Sequence, residues 1–575
     1  MSTLQSETAP EASAAPAPAS APTAPRRPSA TRIARIVIDL AVLAVVALLV
    51  LAPGLDRLPL TDRDEARFVQ ATRQMVETGD WLDIRLQEEP RYKKPIGIYW
   101  LQGLAVTASG QGADAPLTVY RIPSLVAAVV AVLLAYGIGV VLGGPTVGLV
   151  GALLFSATIL LGVEARLAKT DAVLLATVLA AQLALASAWM DGARARKLWR
   201  SLVFFGAVGL GVLVKGPVIL LVCGTTLALL MILERSVSVL LALRPLVGLP
   251  VMLALVLPWF VAIGIVSEGA FFREAIGTDF LGKIAAGQES HGAPPGMYLL
   301  VSIVTFWPAV AFIPAGIAWL IGARATPAGR FLIAWALPSW VLFELAPTKL
   351  PHYVLPLLPA LAIAAGFAVS VGAVAARGWW RRASFAWLAV AGVLLAVALP
   401  GAFVFYEGRA DPVGLAGAVI AGAASIVAWR LAASGRIKLA IPATVIAGGL
   451  MAALAHVIVL PAAGSIWLSD RAAEALARLP TCADPVRISI GYGEPSLVFR
   501  IGTDLRLLSP EEGAAVFAAS PCAVAIVDSR VEGAFLVAAA ANAVRPVPAA
   551  DVTGRNLNGM RERTLRFYIH DAAAP

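Results

Sequence analysis

Long hydrophobic runs, separated by short polar segments, extend along almost the whole chain. Uncharged runs of about 20 residues predict helices that cross a membrane. The pattern predicts thirteen such spans, at residues 36–54, 121–142, 146–163, 172–190, 201–214, 217–233, 246–267, 297–321, 331–346, 353–374, 385–405, 412–433 and 439–461. The two runs between 201 and 233 are short and are interrupted by Lys215-Gly216-Pro217, so the number of spans there could differ by two. Such a difference would not change the side of the membrane on which the later loops lie.

Composition supports this fold class. With 59% hydrophobic and 14% charged residues and a mean hydropathy of +0.81, the 575 residues are not a soluble globular protein. We predict a mainly α, polytopic membrane protein with three parts. The first part is a disordered tail at residues 1–35, which are rich in Ala, Pro, Ser and Thr. The second is the transmembrane domain at 36–464, with an external loop at 55–120, and the third is a small α/β domain at 465–575.

Basic residues fall on alternate loops, which predicts the orientation in the membrane. They are Arg194, Arg196, Lys197, Arg200, Arg235, Arg244, Arg324, Arg330, Arg377, Arg381, Arg382, Arg436 and Lys438. Cytoplasmic loops are enriched in Lys and Arg, so these basic loops and the N-terminal tail are expected on the cytoplasmic side. The membrane is expected to be the inner membrane of the cell. The 55–120 loop and the C-terminal domain are then periplasmic. The net charge of +9 follows from these loops, and no basic, aromatic-interleaved surface indicates nucleic acid.

The C-terminal region has a different pattern from the spans. Residues 486–490, 497–501 and 523–527 predict short strands between helical stretches. Cys482 and Cys522 both lie in this region and form a disulfide candidate in an oxidising compartment, although their distance is not visible in the sequence. Cys223 lies in a span and is interpreted as an apolar filler.

Residues 60–102 form the longest hydrophilic interval before the C-terminal region, and we interpret them as an active-site loop on the membrane surface. Asp62-x-x-Glu65 fits a capping box for a helix that ends at Gly79. Asp64 and Arg67, three residues apart, would share one face of that helix.

Acidic and basic side chains recur in other predicted external segments. A carboxylate can act as a general base toward a hydroxyl, and cations can neutralise a leaving phosphate. The residues of suitable type are Asp64, Arg67, Lys94, Arg166, Lys169, Asp171 and Lys349. Gly137-Ile-Gly139 lies in an apolar span and is not a nucleotide-binding loop, so a donor carried by a lipid suits this chain.

Five segments give a resemblance to a known family: TDRDEARF, RYKKPIGIYWLQ, ARLAKTDAVLL, LVKGPVILL and TKLPHYVLPLLPALA. They resemble the membrane glycosyltransferases of the C-type fold, especially the group of aminoarabinose transferases, which modify lipid A, and protein O-mannosyltransferases. The resemblance covers roughly residues 36–461. It implies the thirteen-span layout with an external C-terminal domain, and a sugar donor linked to a polyprenyl phosphate.

The resemblance also implies roles for particular residues. The family's acidic pair falls on Asp64 and Glu65, with Asp64 as the catalytic carboxylate. Arg67 and Lys94 match residues that contact the donor phosphate, and Asp171 matches a second catalytic-site carboxylate. Glu65, Arg166 and Lys349 complete the predicted substrate-binding set.

One departure concerns a metal ion. Many relatives have Glu-Lys-Pro where this chain has Lys93-Lys94-Pro95, and that glutamate is a metal-site residue in the aminoarabinose transferase. No cofactor is therefore predicted, and the replacement of that glutamate argues against a divalent metal. His291 and His352 are weak candidate ligands, because two histidines without a carboxylate make a poor site.

Structural roles compete with several of these assignments. Glu65 fits a capping partner better than a base, Arg67 and Lys93 fit anchors at lipid phosphates, and Asp171 fits a helix cap as well as a functional group. His352 fits an interfacial position equally well. Lys215, costly between two apolar runs, is either a snorkelling loop residue or a support for the site.

These observations predict a glycosyltransferase that moves a sugar from a polyprenyl phosphate to an envelope acceptor such as lipid A, among membrane lipids. Protein O-mannosylation is the alternative within the same class of enzyme. A lipid or solute transporter is the alternative from another class, but it would place charges near the midplane of broken helices and show repeated halves. Here the charges collect at the outer ends of the spans.

Overall fold

The structure is a computed structural model that describes residues 30–61, 63–192, 196–282, 292–375, 378–482 and 484–570. Within these ranges, ten helices are long and apolar enough to cross a membrane. They are Ala30–Leu51, Leu117–Gly143, Thr170–Asp191, Leu198–Lys215, Pro245–Val266, Pro327–Leu345, Pro351–Ser370, Trp379–Glu407, Pro412–Ala433 and Ile437–Ala462. The chain is thus a mainly helical, multi-pass membrane protein, as predicted.

The remaining three predicted spans are shorter or bent. Met297–Thr305 and Ala309–Gly322 meet at 111°, and Pro145–Ser156 and Val218–Glu234 are shorter apolar helices. Each of the thirteen predicted runs therefore has a helical counterpart, but the number of membrane crossings stays a prediction. The other helical segments of the membrane domain are Ile159–Glu164, Ser238–Ala242, Ala270–Phe272, Arg273–Leu281, Ala373–Ala375 and Gly464–Ile466.

The loop at 55–120, which is predicted to be external and is called the external loop below, contains the α-helices Asp64–Thr78 and Gly97–Ser109. The two-residue strands β1 (Arg85–Leu86) and β2 (Glu89–Pro90) lie between them, and the short helix Gly112–Asp114 follows. The first helix ends at Gly79 as predicted, in a left-handed conformation with φ of 72°. Its start differs from the prediction. The helix begins at Asp64, and the Glu65 carboxylate accepts hydrogen bonds from Thr61 N at 3.1 Å and Thr61 Oγ1 at 2.8 Å. Asp62, the predicted cap, lies outside the described residues.

The C-terminal region forms a five-stranded sheet, whose strands are β3 (Val486–Ile490), β4 (Arg506–Leu508), β5 (Ala523–Asp528), β6 (Val547–Asn556) and β7 (Arg561–Ile569). Their order in the sheet is β4-β3-β5-β7-β6. β3 runs parallel to β4 and β5, whereas β7 is antiparallel to both β5 and β6. The accompanying helices are Leu468–Ala477, Pro495–Ile501, Pro510–Ala519 and Glu532–Ala541. The predicted small α/β region is therefore present.

The strand predicted at 497–501 is wrong, because these residues belong to the helix Pro495–Ile501. Leu497, Val498 and Phe499 are all buried. A short apolar run that is buried on every side has no periodicity that separates a strand from a helix, and Pro495 fits the first turn of a helix.

The C-terminal region lies against the external loop through its segment 499–505, which precedes β4. Gln70 Nε2 donates to Thr503 Oγ1 at 2.7 Å, and Arg73 Nη1 donates to the Phe499 carbonyl at 2.8 Å. Gln87, beyond β1, donates to the Leu505 carbonyl at 2.6 Å. The C-terminal region is thereby fixed beside the start of the loop that the sequence marks as functional.

Cys482 and Cys522 form a disulfide with a Cα–Cα distance of 6.1 Å, and Cys223 is buried in the helix Val218–Glu234. The disulfide closes a loop with a sequence separation of 40. We expect the Cys482→Ser/Cys522→Ser variant to lose about 2–4 kcal/mol of stability in the C-terminal region, because loop closure restricts the unfolded chain. Faster limited proteolysis of residues 465–570 in the full protein would show it. Equal cleavage of this variant and of the Cys223→Ala control would contradict the expectation.

Candidate active site

A cavity of about 630 Å³ lies where the external loop meets the ends of several membrane helices. Six basic and two acidic side chains line it, together with a histidine: Arg67, Arg91, Lys93, Lys94, Lys169, Lys215, Asp64, Asp171 and His352. These side chains come from distant parts of the sequence, which the fold brings together. The excess of positive charge favours an anionic ligand.

Another part of the same cavity is apolar. Its wall includes Leu174, Val212, Val218, Leu220, Leu221, Phe260, Phe271, Leu342, Phe343 and Leu345. Several of these residues belong to candidate membrane spans. A cavity that combines a hydrocarbon surface with a cluster of cations suits an amphipathic molecule with an anionic head.

Asp64 and Arg67 line the cavity from the first turn of the helix Asp64–Thr78. A carboxylate in this position interacts favourably with the positive end of the helix dipole. Asp64 also lies near Lys169, since its charge contributes to the raised pKa of that lysine. The structure thus places the predicted catalytic carboxylate and the predicted phosphate contact on one cavity wall, with Lys94 also among the lining residues.

Asp171 belongs to a buried network of charges. Its Oδ1 accepts a hydrogen bond from Lys215 Nζ at 2.5 Å, and its Oδ2 lies 3.7 Å from Lys169 Nζ. Lys169 in turn lies 3.0 Å from Glu164 Oε1. The His352 ring nitrogens lie 3.8 Å from Asp171 and 3.9 Å from Glu164. Alternating charges therefore hold these side chains in place at the cavity wall.

Burial and charge set the protonation of two members of this network. Burial would lower the pKa of Lys169, but Glu164 and Asp171 outweigh it and raise that pKa above its usual range. Burial also raises the pKa of the Glu164 carboxyl to about 7, although Lys169 opposes the shift. Lys169 is consequently a fixed positive charge near neutral pH, and Glu164 can hold a proton there.

Glu65 lies away from the cavity, in a buried ion pair with Arg121. Arg121 Nε and Nη2 donate to the two oxygens of Glu65 at 2.8 and 3.0 Å. The Ala168 amide donates to the same carboxylate at 2.9 Å. Burial alone would raise the pKa of Glu65, but Arg121 and these hydrogen bonds hold it below its usual range. Glu65 thus ties the external loop to the 165–169 segment, a structural position beside the predicted catalytic residue.

Arg166 and Lys349 are also buried, and neither is among the residues lining the cavity. Arg166 donates to the carbonyls of Val50, Pro53 and Gly162 at 2.7, 2.9 and 2.6 Å. Lys349 Nζ donates to the carbonyls of Ala293 and Ala346 at 2.9 and 2.6 Å. Both side chains satisfy backbone oxygens at helix ends and loops, so their observed contacts are structural.

Sequence reasoning missed or left open three charged residues, two that line the cavity and one that pairs with Glu65 outside it. Arg91 lines the cavity and lies over the Phe68 ring at 5.3 Å. Arg121 is a charge at the start of an apolar run, which resembles an ordinary membrane anchor. Lys215 contacts Asp171, which agrees with a support for the site. A charged residue in or beside an apolar run is costly to bury, and this cost was the sequence signal that Arg121 and Lys215 need a charged partner.

The described residues do not fit a metal ion. No group of three or more His, Cys, Asp or Glu side chains suited to a metal occurs in the described ranges. His352 has two carboxylates nearby, but Lys169 and Lys215 already pair with them. His291, the other candidate ligand, lies outside the described residues. No chemical step is therefore assigned to a metal.

Comparisons with known proteins agree with the resemblance read from the motifs. The profile of the dolichyl-phosphate-mannose-protein mannosyltransferase family matches residues 93–261. An undecaprenyl phosphate-alpha-4-amino-4-deoxy-L-arabinose arabinosyl transferase of Edwardsiella ictaluri is 28% identical over 56% of this chain and 57% of its own length. A second protein of that name from Pseudomonas fluorescens is 30% identical over 54% of each chain. The chain thus spans little more than half the length of these relatives.

Solved structures extend the likeness over nearly the whole chain. ArnT from Cupriavidus metallidurans, bound to undecaprenyl phosphate, superimposes with a TM-score of 0.73 at 20% identity and covers 95% of this chain and 100% of the other. An oligosaccharyltransferase of Archaeoglobus fulgidus gives a TM-score of 0.53 at 12% identity over 88% of this chain and 71% of the other. The chain has the C-type glycosyltransferase fold of ArnT and is similar in sequence to the aminoarabinose and dolichyl-phosphate-mannose transferases.

Proposed function

We propose that the protein is a glycosyltransferase that moves a sugar from a polyprenyl-phosphate donor to an envelope acceptor such as lipid A. The observation that carries this proposal is the cavity itself. It joins an apolar wall, a cluster of six basic side chains and the Asp64 carboxylate in one space. A polyprenyl chain suits the apolar wall, and its phosphate suits the basic side chains. The attacking group of an acceptor suits the Asp64 carboxylate.

The leaving group determines what the basic side chains do. As the bond between the sugar's anomeric carbon and the phosphate oxygen breaks, negative charge increases on the phosphate. Arg67 and Lys94 line the cavity. In this proposal they stabilise that charge by charge-assisted hydrogen bonds. The bond that forms joins the anomeric carbon to an acceptor oxygen, with inversion at that carbon.

The role of Asp64 depends on the acceptor oxygen. If the acceptor is a hydroxyl, Asp64 takes its proton during attack. If the acceptor is a phosphate, the nucleophile is already ionised and Asp64 orients it. Asp171 is paired with Lys215, so it positions this lysine and Lys169 beside the donor.

The donor sugar and the side of the membrane are parts of the same proposal. The aminoarabinosyl transferases similar to this chain are named for an undecaprenyl-phosphate donor, which supports a pentose of that class as the first donor to test. The family profile over residues 93–261 favours protein O-mannosylation as the second candidate. The positive-inside pattern supports a periplasmic site at the inner membrane.

Mass spectrometry of lipid A and total envelope glycans tests this proposal in cells with and without the gene. Loss of one pentose-sized increment from lipid A on deletion is the expected result. A change confined to glycopeptides would instead identify the second candidate. No change in any glycan would contradict the glycosyltransferase assignment.

Lys94 supplies a more local test. We expect Lys94→Gln to lower kcat/KM for the donor by about 100-fold, because one stabilising charge at the leaving phosphate is removed. Initial rates with purified enzyme and varied donor measure this effect. Arg57→Gln is the matched control, since Arg57 is an exposed cation of the same external loop that is not among the cavity-lining residues. Equal losses in both variants would show a non-specific charge effect and contradict the assignment of Lys94.

A further inference from the structure

A second cavity, of about 400 Å³, lies between the C-terminal sheet and the external loop. Four arginines line it: Arg63, Arg530, Arg561 and Arg563. We call it the arginine cavity. It is separate from the candidate active site, with which it shares no lining residue.

Several lining residues of the arginine cavity follow the carboxyl ends of the parallel strands β3 and β5. Gly491-Tyr492-Gly493 follows β3, and Arg530 follows β5. This edge is the usual place for ligands in parallel α/β sheets. Gly491 has a φ of 79°, and a Cβ there would approach Val531 Cγ2 to 2.6 Å. The backbone therefore passes close to its neighbours, and glycine is required at this point of the rim.

The charges of the arginine cavity are only partly balanced. The fully buried Asp528 pairs with Arg530 at 2.7 Å and lies 3.9 Å from Arg563. Glu494 is the acidic residue among those lining the cavity, and it accepts a hydrogen bond from Asn556 at 2.7 Å. Among the described residues, the four guanidinium groups are thus balanced by two carboxylates, those of Asp528 and Glu494. Arginine forks match the oxygens of a phosphate in bidentate hydrogen bonds, so the remaining charge suits a phosphate group.

The arginine cavity adjoins the candidate active site through two consecutive residues. Arg63 lines the arginine cavity, whereas Asp64 lines the other cavity. With its amide oxygen turned to Arg63, Asn558 accepts a hydrogen bond from Arg63 Nε at 2.7 Å and joins the β6–β7 turn to the loop. Consecutive Cα atoms are about 3.8 Å apart. The two cavities therefore have neighbouring residues of one segment in their walls.

We propose that the arginine cavity binds a phosphate group on the head group of the acceptor glycolipid and so orients the acceptor toward Asp64. The volume accommodates a phosphate together with part of the sugar that bears it. That a phosphate binds here follows from the cavity alone. That this phosphate belongs to the acceptor rests on the proposed function.

Arg561 is the best position for a test. It is an exposed residue at the start of β7, so its replacement leaves the pairing of Asp528 with Arg530 and Arg563 intact. Arg545→Gln is the matched control, because Arg545 is exposed in the same region and does not line the cavity. Arg561→Lys keeps the positive charge but removes the guanidinium group that can form two parallel hydrogen bonds to a phosphate.

Binding is measured first, with the purified full-length protein in nanodiscs. The probes are lipid A with two phosphates, lipid A with none, and inorganic pyrophosphate. We expect Arg561→Gln to weaken binding of diphosphorylated lipid A about tenfold, with partial recovery in Arg561→Lys, because one charge-assisted contact is lost. Binding of phosphate-free lipid A should not change. Equal affinities of the wild type and Arg561→Gln for both phosphorylated probes would overturn the proposal.

Kinetics then separate the two parts of the proposal. Arg561→Gln should raise KM for the phosphorylated acceptor about tenfold, with a smaller change in kcat and an unchanged KM for the donor. Weaker pyrophosphate binding with an unchanged acceptor KM would overturn the assignment to the acceptor and leave a site for free phosphate. If no variant or wild type transferred sugar but the binding difference persisted, the proposed function would fail while the phosphate site stood.

Discussion

Replacing Asp64 by Asn is expected to reduce sugar transfer at least about 1,000-fold, and to leave the fold intact. The amide keeps the size and shape of the side chain but removes the charge that accepts a proton or orients the acceptor. Asp64 is exposed at the first turn of its helix and lines the cavity, so its replacement breaks no buried contact. Initial rates with purified protein measure the loss, and thermal unfolding in the same detergent checks the fold.

Asp56→Asn is the matched control for this prediction. Asp56 is exposed in the same external loop and is not among the residues lining the cavity. We expect it to retain wild-type rates. Turnover of Asp64→Asn within a factor of about three of the wild type would remove Asp64 from the mechanism, since a general base contributes about 100-fold or more.

Replacing Arg121 by Met is expected to destabilise the protein by about 3–5 kcal/mol, which is the usual cost of removing one partner of a buried ion pair. The change leaves the Glu65 carboxylate without its main counter-charge. It also removes hydrogen bonds to the carbonyls of Leu55, Leu58 and Pro59. Denaturant titration in detergent micelles, followed by tryptophan fluorescence, measures the free energy of unfolding.

A double variant tests the physical reason for that loss. Glu65→Leu/Arg121→Met removes both charges, and part of the lost stability should return, because no buried charge remains unpaired. Arg57→Met, on the exposed part of the loop, should change the stability by less than about 0.5 kcal/mol. A similarly small effect of Arg121→Met would contradict the structural role of the ion pair.

Much of the fold could be predicted from sequence because membrane spans depend on composition. A helix in lipid satisfies its own backbone hydrogen bonds, so an apolar run of sufficient length is a strong signal by itself. The short soluble elements carry weaker signals. Residues 497–501 belong to a short helix whose Leu497, Val498 and Phe499 are buried, and three consecutive apolar residues fit a strand as well. β6, at the edge of the sheet, and β7 beside it contain many polar residues, and no strand was predicted for them.

The candidate site shows a similar division. Asp64, Arg67, Lys94 and Asp171 do line one cavity, as the motifs led us to expect of residues that act together. The type of a charged residue and its proximity to a motif did not show whether it lines the cavity or is buried in the protein. Arg166, for example, donates to three backbone carbonyls. The partner of a long buried side chain is set by tertiary packing, which a local motif does not encode.

Lys215 shows what physical cost can add to motif reading. A lysine between two apolar runs requires a counter-charge or access to water, and the sequence offers no partner within one helical turn. The structure supplies Asp171, which is 44 positions away in the chain. Expensive charges thus indicate that a partner exists, while the fold identifies it.

The most direct test of the glycosyltransferase assignment is a reconstituted transfer reaction. Purified protein would be combined with undecaprenyl-phosphate aminoarabinose and lipid A, and the products analysed by mass spectrometry, with Asp64→Asn in parallel. We expect one added sugar mass on lipid A with the wild type and none with the variant. If the folded wild-type protein transferred no sugar from this or a mannosyl-phosphate donor to lipid A or peptide, that result would contradict the assignment.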